Sequence, residues 1–197
     1  MAGVSVVGEV ITVAVHYLEQ LKFLLAQGKL DEAFKFCCSS DFARERVCSA
    51  RCSRTGKTAL HFAAEAGCVK VVDQLVMLMS AENLEIIDND GFTALARATC
   101  KGNRRLAECM VRKSEKLITI QNDKGNIPAV AALYDGNLDL ARYLYFHTPS
   151  EILRAGTGII GPTVVCEAIY NNALGKNLLY DKKARYQYYF LLEIFFI

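Results

Sequence analysis

A motif that recurs every 34 or 35 residues constrains this chain more than any other feature of it. Gly56 opens GKTALHFAAEAGCVKVVDQLV, Gly91 opens GFTALARATCKGNRRLAECMV, and Gly125 opens GNIPAVAALYDGNLDLARYLY. The inner glycines Gly67, Gly102 and Gly136 step in the same way, and Ala63, Ala98 and Ala132 keep the register. Each copy reads as two short helices joined by a tight turn. In the first copy Leu60, Ala63 and Ala64 give a small apolar face. Val69, Val72, Leu75 and Val76 then recur at three- and four-residue spacing along a second helix. Gly67 separates the two, because glycine enters a left-handed turn without a steric penalty. Such a hairpin cannot bury its apolar face alone, so the copies must stack.

A period of about 33 residues with T-x-L-H-x-A inside it is the signature of ankyrin repeats. Thr58-Ala59-Leu60-His61-Phe62-Ala63-Ala64 resembles that motif closely. The run from about Leu18 to Ser150 resembles the plant ankyrin-repeat proteins that end in a membrane-spanning PGG segment. The matching phrases are ALHFAAEAGCVKVVDQLV, LEIIDNDGFTAL, KLITIQNDKGNIPAVAA and ARYLYFHTP, in that order. The group's membrane-spanning end is not present, so the chain looks like a short or truncated relative. The resemblance implies an all-α ankyrin-repeat solenoid with projecting hairpin loops and a non-catalytic role in binding another protein. Full-length relatives imply an alternative, a membrane-tethered signalling protein of stress or defence responses at the cytoplasmic face of a membrane. The resemblance also implies that the His61 ring bonds the Thr58 hydroxyl and the backbone of the neighbouring finger, a structural bridge.

Taken in order, residues 1–15 are apolar and valine-rich and read as an N-terminal tail. The first Lys or Arg is Lys22 and Glu9 interrupts the apolar run, unlike a secretory signal. That run is also far short of the roughly 20 residues that span a bilayer. Repeats are expected over about 16–50, 54–86, 88–119 and 122–155. The first is weaker: Leu18, Leu21, Leu24 and Leu25 precede Gly28, and Leu30, Ala33 and Phe36 follow it. Asp and Asn before Gly91 and Gly125 are turn chemistry, which marks the fingers. Pro128 suits the first position of a helix. Residues 156–197 read as a degenerate fifth repeat, with Thr163 to Asn172 as its first helix, and a hydrophobic tail.

Composition narrows the function. The chain is 52% hydrophobic and 22% charged, which excludes wholesale disorder. A net charge of +2 gives no strong preference for nucleic acid or an anionic membrane. Eight cysteines in a helical repeat pattern do not make a disulfide framework and read as reduced, hence cytoplasmic. Cys48-x3-Cys52 followed by His61 has no fourth ligand for a tetrahedral metal. The arginines from Arg44 to Arg54 are diluted by Asp41 and Glu45 and read as a solvated loop. No P-loop, dinucleotide fingerprint, nucleophile elbow or H-E-x-x-H helix occurs. No catalytic residue, cofactor or metal is expected.

What remains is a surface. In ankyrin arrays the variable faces are the finger tips and the two positions before each inner glycine. By that resemblance the tips are Cys52, Arg54, Thr55 and Lys57, then Ile87, Asn89, Asp90 and Phe92, then Gln121, Asp123, Lys124 and Asn126. The pre-glycine pairs are Glu65-Ala66, Cys100-Lys101 and Tyr134-Asp135. Ile87, Phe92 and Tyr134 are of the type that anchors interfaces. The candidate partner-binding set is therefore Arg54, Lys57, Glu65, Ile87, Asn89, Asp90, Phe92, Lys101, Asp123, Lys124, Tyr134 and Asp135. The structural set is Thr58, Leu60, His61, Gly67, Gly102 and Gly136.

Overall fold

Short helices alternate along the chain because each copy carries a brief alanine-rich run, a glycine and a longer apolar run. The computed structural model describes residues 3–39 and 48–153, with side chains from residue 14 onward. Its helices are α1 (Gly3–Ala26), α2 (Leu30–Cys37), α3 (Ala59–Glu65), α4 (Val69–Leu78) and α5 (Ala81–Leu84). They continue with α6 (Ala94–Thr99), α7 (Arg104–Lys113), a 3-10 turn over Glu115–Thr119, α8 (Pro128–Tyr134), α9 (Leu138–His147) and α10 (Ser150–Leu153).

Two layers result. The inner helices α1, α3, α6 and α8 stack in that order, and the outer helices α2, α4, α7 and α9 stack behind them. Leu60, Ala63 and Ala64 from α3 and Leu95 and Ala98 from α6 are fully buried between inner helices. Their small size lets backbones approach, while Val71, Val72 and Leu75 of α4 and Leu106 and Met110 of α7 fill the gap to the outer layer. Each such leucine contributes about 1.5–3 kcal/mol by leaving water. The core is continuous from Ala14 to Leu153, so no copy is stable by itself.

Local signals fix the helix ends. Gly67 closes α3 with φ of +70°, a left-handed conformation that costs other residues about 1–2 kcal/mol. Thr93 Oγ1 accepts from the Ala96 amide at 3.2 Å, capping α6. Pro128 occupies the first turn of α8, where its missing N–H leaves nothing unpaired. Among the described residues the fingers form no strand, only an isolated antiparallel bridge between Ile87 and Thr93.

The N-terminus differs from expectation. Residues 1–15 read as a tail, yet α1 already begins at Gly3 and runs unbroken into the first repeat. The apolar valine run continues the helix, so no change of structure marks residue 16. The expected fifth repeat and hydrophobic tail, 156–197, lie outside the described residues.

Candidate functional site

The fingers and inner helices share one side of the stack, where both line a cleft, and the geometry of that side starts at the joint between the first two fingers. Thr58 and His61 are both buried at the start of α3. The Thr58 amide donates to His61 Nδ1 at 3.2 Å, and Thr58 Oγ1 lies 2.8 Å from the same nitrogen. Nδ1 is thus an acceptor, which leaves Nε2 as the protonated nitrogen, 2.9 Å from the Phe92 carbonyl in the next finger. Burial holds the imidazole below its ordinary titration range. Arg51 adds bonds to the carbonyls of Gly56 (3.1 Å) and Ile87 (2.8 Å). Asn89 Nδ2 reaches the Arg54 carbonyl at 3.1 Å.

A charge network continues from this joint. Lys57 Nζ meets Glu65 Oε1 at 2.5 Å, and Arg97 Nε lies 3.5 Å from the same oxygen. The Arg97 guanidinium also sits 2.6 Å from both Asp88 Oδ2 and Asp90 Oδ2, and stacks 4.5 Å from the centre of the Phe92 ring. Asp88 is buried, and its Oδ1 accepts from the amides of Asp90 and Phe92 at 3.0 Å each. Burial alone would raise this carboxyl, but the Phe92 amide and Arg97 outweigh it and hold it below the usual carboxylate range. Arg97 is likewise penalised by burial and raised overall by Asp88 and Asp90.

The next copy solves the same turn without charge. Asn122 Oδ1 accepts from the Lys124 and Asn126 amides at 3.0 Å each, as Asp88 does in its own finger. Ala131 stands 34 residues after Arg97, at the matching place on α8. A short side chain where the previous copy has an arginine opens a cleft of about 490 Å³. Phe92, Ala96, Cys100, Asn122, Lys124, Asn126, Ala131, Tyr134 and Asp135 line it. Burial, then a hydrogen bond to Asp135, pushes the Cys100 thiol up, so it is protonated and unreactive at neutral pH.

The residues singled out from sequence therefore divide into three groups. Phe92, Lys124, Tyr134 and Asp135 come together around the cleft. Lys57, Glu65 and Asp90 belong to the Arg97 network, while Arg54 and Asn89 tie one finger to the next. Ile87, Lys101 and Asp123 are exposed, Ile87 by 45%. Gly67, Gly102 and Gly136 all carry positive φ, and Leu60 is core. Cys52 is a correction: read as a finger tip, it is buried, with its thiol 3.6 Å from Glu19 Oε1. Its carbonyl and amide close the finger on Gly56 and Lys57, which turns the side chain inward. Arg97 and its buried partner Asp88 were not recognised as a pair. Their spacing of nine residues crosses from finger to helix and follows no helical pattern.

These features define a solenoid of stacked helical repeats. A family model for ankyrin repeats (three copies) matches residues 11–119, and the chain belongs to the ankyrin-repeat family, whose members are protein-interaction modules. No curated protein matches the chain. Among solved structures, it is similar to a chain in the crystal structure of the yeast ribosomal protein Rps3 in complex with its chaperone Yar1. The identity is 20%, covering 66% of this chain and 91% of that one, with a TM-score of 0.56. Among the described residues no helix is long and apolar enough to cross a membrane. No group of three or more His, Cys, Asp or Glu among them is placed to hold a metal ion.

Proposed function

We propose that this protein is a non-catalytic binding module that holds a protein partner on its concave face, centred on repeats three and four. The observation that carries this reading is the cleft over Ala96 and Ala131, walled by Phe92 and Tyr134. Tyr134 is 57% exposed there although it is large and aromatic. Aromatic side chains with few rotatable bonds, set in a rigid wall, lose little conformational entropy on binding. The Arg97 network stiffens the same wall from behind. Ion pairs occupy the charges of that network, so it positions the face and leaves the contact to the cleft.

Affinity capture on the immobilised full chain tests the proposal when combined with surface variants. Tyr134→Ala with Lys124→Glu abolishes capture of a given partner while leaving the melting temperature within a few degrees. Arg105→Glu with Arg112→Glu, on the outer helix α7, leaves capture intact. The reverse pattern would place the interface on the outer layer and defeat the reading.

A further inference from the structure

Resting on the reading proposed above, we infer that the cleft takes an acidic side chain, a glutamate or aspartate on a peptide segment, whose carboxylate meets Lys124 and Asn126 at the finger end. Register carries this. Stepping 34 residues along the chain, Asp88, Asp90, Phe92 and Arg97 become Asn122, Lys124, Asn126 and Ala131. The third copy closes on itself, since Arg97 holds Asp88 and Asp90 and lies on the Phe92 ring. The fourth copy keeps the same backbone turn through Asn122, yet one net negative charge at these positions becomes one net positive. A ring that hosts a cation gives way to an amide that can donate to an anion. Ala131 leaves open the room that an arginine fills in the previous copy.

Among the residues that line the cleft, Lys124 is the cation and Asp135 the anion. Lys124 is exposed and makes no ion pair among the described residues, and the Asn126 side-chain amide has no hydrogen-bond partner among them. Two carboxylates stand on the adjoining finger tips, but Asp90 is paired with Arg97 and the Asp123 carboxylate lies against Gly91. Asp135 is hydrogen-bonded to the Cys100 thiol at the opposite end of α8, about 10 Å away for seven residues of helix. An incoming carboxylate is attracted at one end of the cleft and repelled at the other, which fixes where it sits. Asp123 and Asp135 also disfavour a run of phosphates, so a single acid on a peptide fits where a nucleic-acid strand does not.

A random heptapeptide library displayed on phage and selected against the full chain tests this. Peptides selected on the unmodified protein carry Glu or Asp at one fixed position. Selection on Lys124→Glu replaces that residue by Arg or Lys. A synthetic peptide from the first selection binds Lys124→Gln about tenfold more weakly and Lys124→Arg nearly as well as the parent. Peptides with no fixed acidic position, or with equal affinity for Lys124→Gln, overturn the inference. If their binding still falls with Tyr134→Ala, the concave-face reading survives its loss. If no peptide is selected, or binding ignores both substitutions, both readings fail.

Discussion

Arg97 and Ala131 hold the same place in successive copies, and their contrast organises the chemistry of the face. Asp88 is buried and ionised because Arg97 and two backbone amides surround it. Removing the guanidinium alone leaves a buried carboxylate short of its partner, so Arg97→Ala costs about 3 kcal/mol in urea unfolding. Adding Asp88→Asn recreates the uncharged turn that Asn122 already makes, and most of that loss is recovered. A double variant no more stable than Arg97→Ala would show that the two residues do not act as a pair. His61 is the second residue-scale test. His61→Ala strips the buried Thr58 amide of its acceptor, at a cost of about 1–3 kcal/mol. Burial keeps the folded imidazole below its ordinary value of 6.5, so the unfolded chain takes up the proton first. The stability that His61 contributes is complete above pH 6.5 and falls as pH drops below it, by at most about 1.4 kcal/mol per pH unit. Unfolding midpoints at pH 7.5 and 5.5 check this, and His61→Ala lacks that component of the difference. The T-x-L-H phrase made His61 visible in the sequence. Arg97 was not, because an arginine on a short helix reads as a solvated charge until the buried Asp88 is seen beside it.

At the scale of elements, most of the design could be read from periodicity. Inner glycines predicted the turns, alanines the inner helices and valine or leucine spacing the outer ones, since each position has one backbone or packing solution. Two features escaped. Cys52 turns inward because its own backbone closes the finger, and the helix before residue 16 lacks the alternation of polar and apolar faces that marks a stacked helix. The turns themselves are not equivalent. A Cβ at Gly67 would meet nothing within 4 Å, so Gly67→Ala isolates the backbone cost. At Gly102 it would strike the Asn137 side chain, whose amide donates to the Thr99 carbonyl at 2.6 Å. Gly102→Ala therefore costs about 1 kcal/mol more than Gly67→Ala in thermal or urea unfolding. Equal costs would mean that the Asn137 bond adds nothing between the copies.

Among the described residues each helix pair packs mainly on its neighbours, and the core runs from Ala14 to Leu153. A purified chain of residues 3–153 is expected to keep its helical circular dichroism and a cooperative melt. Loss of both would show that the segment after Leu153 completes the fold. On the proposed reading, stacking also sets the binding wall in place before a partner arrives, with Phe92, Tyr134 and Asp135 around one cleft. The most direct measurement of that claim is hydrogen–deuterium exchange on the full chain, alone and with a captured partner. Protection should gather in residues 92–101 and 122–135, with the outer helices α4 and α7 unchanged. Protection confined to α4 and α7, with the cleft exchanging as in the free chain, would contradict it.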